Sequence, residues 1–186
     1  MSISVLLAKK ALGPLIAVFL ILQGCTPMAK DDVLKFSTHD IGLACYGGVT
    51  NAWLQYAGMV SELCDTEAGR DKLPTDINRV PGSLAGFYQA FESPLEMKWR
   101  SRDGTELRHT VDLKKEIPVP RIKYDHPERV FDKEPFQGVP TVVVEYDDRT
   151  VNVYFAATLQ VRPLDPATRP SVEHVDVFTL VYSRTL

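Results

Sequence analysis

The chain has 186 residues, 45% of them hydrophobic, with 24 acidic residues against 21 Lys and Arg. That is one domain's worth, enough to bury a core without a metal. Its net charge of −3, with no basic stripe, argues against a nucleic-acid ligand, since phosphate backbones are bound through concentrated Lys and Arg.

Lys9 and Lys10 precede an apolar stretch from Ala11 to Leu22, interrupted only by Gly13 and Pro14. About a dozen apolar residues behind two positive charges is the layout of a secretory signal, whereas a spanning helix needs about 20. The stretch ends in Leu22-Gln23-Gly24-Cys25, which resembles the lipobox of bacterial lipoproteins. In those proteins the Cys thiol is acylated and the peptide before it is removed. Residues 1–24 are therefore expected to be a signal peptide, Cys25 the lipid attachment point, residues 25–35 a tether, and residues 36–186 a single globular periplasmic domain. Two or more acyl chains, at about 0.8 kcal/mol per buried methylene, make such an anchor stable. Thr26, in place of Asp, points to the periplasmic face of the outer membrane.

With Cys25 assigned to lipid, Cys45 and Cys64 remain, an even pair in an oxidising compartment. A disulfide is the expected state. Two buried thiols or a metal pair are the alternatives, and the second is weak without a nearby His.

His39 to Val49 reads as a strand that breaks at Gly47-Gly48. Trp53, Tyr56, Val60 and Cys64 then recur at helical spacing, with Asn51 as a cap and Gly69 as a stop; a strand through Ala52 to Ala57 is the alternative. Asp65 to Pro81 is a polar loop, and Leu84, Phe87, Tyr88 and Phe91 predict a second helix ended by Pro94. From Leu95 the period is two: Leu95, Met97 and Trp99 alternate with charges, Ser101 to Gly104 turns the chain, and Leu107, His109, Val111 and Leu113 return. Ile117 to Pro140 carries five prolines, which excludes a central strand and predicts a long surface excursion. Thr141 to Tyr146 and Val151 to Val161 form a second hairpin around Asp147-Asp148-Arg149, and Val172 to Tyr182 a last strand. The expected class is α+β, an antiparallel sheet of β-hairpins with one or two helices from the N-terminal half packed on it.

No nucleophile-base set, zinc motif, phosphate loop or dinucleotide fingerprint stands in the sequence. His39, His109, His126 and His174 fall in four separate elements, and His174 with Asp176 on one strand face reads as a solvated edge. The reading is of a non-enzyme, with no catalytic residue, metal or cofactor.

The lipobox, the short tether, the Cys45/Cys64 pair and the stretch KWRSRDGTELRHTVDLKKEIPVP together resemble small periplasmic lipoproteins encoded beside type VI secretion lipase effectors. Those proteins act as immunity proteins. The likeness runs diffusely from Cys45 to Pro120 and has no single diagnostic motif. It implies a protein partner, a toxic phospholipase that is bound and blocked, and membrane contact through the lipid on Cys25. An envelope scaffold or assembly lipoprotein that binds a resident partner is the alternative. The excursion from Ile117 to Pro140 is the preferred contact region, with Tyr124 and Phe136 as candidate anchors, because aromatic residues dominate binding hot spots.

Overall fold

The computed structural model describes residues 32–80, 83–165, 167 and 171–186. Cys25 and the signal segment lie outside them.

One sheet contains β1 (Thr38–Tyr46), β4 (Ser83–Gln89), β7 (Thr141–Asp147), β8 (Thr150–Val161) and β9 (Glu173–Thr185), in the order β4-β1-β7-β8-β9. Its β1 and β7 are parallel, and the other pairings are antiparallel. The second sheet, β3-β2-β5-β6, is built from β2 (Thr50–Tyr56), β3 (Met59–Leu63), β5 (Leu95–Arg100) and β6 (Glu106–Val111), antiparallel throughout. The sheets share one core. Leu54, Tyr56, Leu95, Met97 and Trp99 face Ile41, Val142, Val144, Tyr146, Val153 and Phe155 across it.

The strand β5 buries Leu95, Met97 and Trp99 and exposes Glu96, Lys98 and Arg100, the alternation that one covered face demands. In β7 all of Thr141 to Tyr146 are buried, so this strand is covered on both faces. We call the end where β1 begins the entry end and the end where Tyr46 lies the far end. The parallel β7 starts at the entry end, and β8 finishes there.

The two helices expected from the N-terminal half are strands. Trp53 to Cys64 is the β2–β3 hairpin, turned by Ala57 and Gly58, both at positive φ. Its real period is two: Ala52, Leu54 and Tyr56 are buried while Val60 is exposed. The apparent helical stripe mixed residues from both faces. Likewise Leu84 to Phe91 is the edge strand β4 and its exit, with Tyr88 turned to the core and Phe87 outward. Among the described residues the sole α-helix is α1 (Leu113–Glu116), one turn capped by Asp112. The expected α+β class is thus corrected to a mostly β sandwich, with the antiparallel hairpins retained.

The folded body also begins earlier than the expected boundary. Val33 and Leu34 are in the core, and Lys35 bridges Arg121.

Cys45 and Cys64 are bridged, with Cα atoms 6.7 Å apart. The bond joins the end of β1 to the end of β3, and so one sheet to the other. Two hydrogen bonds repeat this tie: Tyr146 donates to the Trp53 carbonyl at 2.9 Å, and Trp99 Nε1 to the Asp148 carbonyl at 2.7 Å. In the chain-entropy description a crosslink over this span contributes about 3 kcal/mol. The double variant Cys45→Ala, Cys64→Ala should therefore unfold at clearly lower urea concentration with an unchanged native circular dichroism spectrum. Coincident urea curves for the variant and the oxidised parent would rule out a stabilising bridge.

Candidate functional site

Three polar groupings stand out as candidate sites. The first is enclosed. His39 on β1 and Tyr56 on β2 are both buried, with His39 Nε2 2.8 Å from the Tyr56 hydroxyl and Nδ1 3.0 Å from the Asp40 carbonyl. A carbonyl needs a donor opposite it, so Nδ1 carries the proton and Nε2 accepts from Tyr56. The Tyr56 oxygen in turn accepts from the Glu92 backbone at 3.1 Å. Burial holds His39 below the usual histidine range and pushes the Tyr56 phenol up to about 12. A neutral ring with both nitrogens occupied, packed against Phe36 and Tyr88, is a tie between the sheets.

The second grouping lies under residues 64–80, which cross the outer face of the five-stranded sheet as a strap. Arg70 grips Asp76 through two bonds of 2.6 and 2.7 Å, and Asp76 also accepts from the Leu73 amide at 2.8 Å. The Arg70 guanidinium, aided by that amide, holds the Asp76 carboxyl down at about 2. Lys72 reaches Glu145 on β7 at 2.7 Å, and Glu145 further accepts from Asn152 and Tyr154, each at 3.1 Å. Burial pulls the Lys72 ammonium down, but the Glu145 carboxylate outweighs it, leaving Lys72 raised. Arg70 and Lys72 also lie over the Tyr46 ring. Glu145 escaped the sequence reading. Its signal was a lone acid inside Val142 to Tyr146, which in a strand covered on both faces requires a cation.

The third grouping is open. A cleft of about 350 Å³ at the entry end is walled by Phe36, Pro135, Phe136 and Val139 with Asp32 and Lys35 at its rim. Beside it, a second of about 340 Å³ lies between Asn78–Val80 of the strap and Thr158, Asp176 and Phe178 of the sheet. Val139 borders both.

The expected site residues are distributed as follows. Tyr124 and Phe136 are half buried and pack against the core. Phe136 bridges Leu159 of β8, and the Tyr124 hydroxyl accepts from Arg129 at 3.4 Å. The structure does not bring the two together: Phe136 lines the first cleft, while Tyr124 lies beside the β9 edge at Val175 to Thr179. His109 stacks on Tyr182 with a 2.6 Å hydrogen bond, closing β6 against β9. His126 pairs with Glu128, and Asp176 accepts from Thr158 rather than joining His174. Among the described residues no group of three or more His, Cys, Asp or Glu is placed to hold a metal, and no helix is long and apolar enough to cross a membrane.

No protein-family model matches the chain, and neither a curated protein nor a solved structure matches it.

Groups perturbed by the fold shape the pH response. His39, and His109 with it, bind protons less readily when folded, so below the ordinary histidine pKa of about 6.5 the unfolded chain takes up more protons and stability falls. Asp76 is depressed, so its contribution is present above about pH 4 and is lost as pH falls toward 2. The melting temperature should therefore drop between pH 7 and 5, and again below pH 4. His39→Phe should flatten the first slope and Asp76→Asn the second. An unchanged slope between pH 7 and 5 in His39→Phe would exclude His39 as its source.

Proposed function

We propose that this protein is a membrane-anchored periplasmic binding protein, and that it serves as an immunity protein which blocks a type VI secretion phospholipase effector by stoichiometric contact. The observation that carries the binding role is the excursion from Ile117 to Pro140. It is long and proline-bearing, yet backbone bridges pin it at Lys35–Arg121, Val130–Val161 and Phe136–Leu159. A surface already fixed in place loses little freedom when a partner binds, and clefts flank it on two sides.

The polar groups are consistent with that role. His39 has both ring nitrogens engaged inside the core, and the Lys72–Glu145 pair is held under the strap. Groups so placed lend rigidity. The choice of a lipase as partner rests on the resemblance of the lipobox, the cysteine pair and the Lys98 to Pro120 stretch to lipase immunity lipoproteins. An anchor would hold such an inhibitor at high effective concentration where a phospholipase meets its substrate.

Tyr124 and Phe136 present the open sides of half-buried rings on two different faces, so they test two contact regions. If gene order places a lipase-type gene beside this one, its product is the effector to use; a pilus, secretin or transporter gene there favours the scaffold reading. Purified mature protein should form a complex with that effector at micromolar concentration and titrate phospholipid hydrolysis to a stoichiometric end point. Tyr124→Ala or Phe136→Ala should weaken protection of cells that express the effector in the periplasm. Absence of a complex, or equal survival without this protein, would overturn the immunity role. Full protection by both variants would remove the excursion as the contact.

A further inference from the structure

A strand at the end of a sheet presents a row of backbone N–H and C=O groups, and proteins blunt such edges with short length, charge, proline or bulges. Three of the four sheet-end strands here are short: β3 has five residues, β6 six and β4 seven. Glu62 adds a charge to β3, and Glu106 and Arg108 add two to β6. The fourth, β9, is different. It runs for 13 residues without proline or lysine, and Val177 to Tyr182 carries no charge. Its one irregularity lies opposite Val153-Tyr154, so Glu173 to Leu180 is a regular strand. Among the described residues, the backbone of Glu173–Thr185 hydrogen-bonds to β8 alone.

A cleft of about 320 Å³ follows the regular half of this edge. Lys123 to Asp125 of the excursion stand across it from Val175 to Thr179. Five consecutive strand residues point alternately to the two faces of the sheet, and all five line this one cleft, so it runs along the edge and not over either face. Its far wall is fixed: the Ile122 amide donates to the Leu34 carbonyl at 3.0 Å, and the Tyr124 hydroxyl accepts from Arg129. The acids of β9 are turned to their own partners, Glu173 to Arg129 and Asp176 to Thr158.

We propose that the open edge of β9 receives an extended segment of a protein partner as an added strand, with Tyr124 bordering the seat. The chemistry of the edge selects this occupant. Lipid cannot satisfy open backbone donors and acceptors. A second copy of this chain, paired edge to edge about a two-fold axis, would bring its own Lys123–Asp125 wall and whole sandwich into the space beside Val175 to Thr179. A single extended chain needs only the width of one strand, about 4.8 Å from β9. Such a segment meets each open N–H and C=O, and its alternate side chains complete the cover over Val175 and Val177, which are half buried against the core. The fitting sequence is therefore apolar at every second position and free of proline.

This inference rests on the binding role proposed above and adds how the partner is held. The test is hydrogen exchange at single amides, read by NMR on the mature protein. Free protein should show alternate amides between Val175 and Tyr182 exchanging at least about tenfold faster than their neighbours, which bond to β8. Uniform slow exchange there would mean an edge already covered, and overturns the proposal. Two probes are then added separately: the neighbouring lipase-type effector, and a ten-residue peptide of alternating valine and threonine with lysine at each end. Each should slow the fast amides about tenfold or more. A complex with the effector that leaves them fast, with no protection by the peptide, overturns the added strand while the immunity role stands. Protection by the peptide without any effector complex keeps the added strand and removes the immunity role. Protection by neither overturns the proposal. Phe178→Pro and Thr179→Pro remove consecutive amides, of which one faces β8 and the other the open side. The variant that keeps the parent's melting temperature should lose peptide binding, and peptide binding unchanged in it also overturns the added strand; if neither variant folds, the exchange result on the parent decides.

Discussion

The parallel pairing of β1 with β7 is the constraint from which the rest of the architecture follows. The two strands run in register from Asp40 with Thr141 to Tyr46 with Asp147, so the chain that leaves β1 at the far end must come back to the entry end before β7 can start. Parallel neighbours cannot be joined by a tight turn. The intervening residues use the detour to build the whole second sheet, to lay the strap across the outer face, to return once to the first sheet as β4, and to form the pinned excursion. The sandwich is the packed form of one long crossover.

That arrangement puts polar groups where two layers must be held at a fixed spacing. Apolar packing alone is non-directional and sets no register between sheets. The His39–Tyr56 pair does so at the entry end, while Tyr146 with Trp53, Trp99 with Asp148 and the Cys45–Cys64 bridge do so toward the far end. Along the side, His109 on Tyr182 closes the gap between β6 and β9. On the outer face, the strap supplies Lys72 to Glu145, which makes a carboxylate tolerable inside a doubly covered strand.

How much of this the sequence disclosed depended on how clean the alternation was. The β5–β6 and β7–β8 hairpins were legible because one face is apolar, the other is charged or covered, and polar turns divide them. The β2–β3 hairpin was not. Its turn is Ala57-Gly58, without the Asn or Asp that usually marks positive φ, and Trp53 keeps its ring at the surface beneath Lys98. Edge position hid β4, since an outward Phe87 next to an inward Tyr88 imitates a helical face. The Cys45–Cys64 pairing was readable from parity. The Arg70–Asp76 and Lys72–Glu145 clamps were not, because they join residues whose proximity exists only once the strap has crossed the sheet.

The same crossover has a kinetic side. A chain that emerges N-terminus first presents β1 long before its neighbour β7 exists, and until then Ile41 and Leu43 have one open flank in the sheet. The first contacts available are local ones, from β1 to the β2–β3 hairpin across the Cys45–Cys64 bridge. The centre of the larger sheet is completed late, by pairings of high sequence separation that make folding slow. During that interval the unpaired edge of β1 is a template for other chains. The cost of this topology therefore falls on the nascent chain, as a period of vulnerability to aggregation that ends when β7 docks.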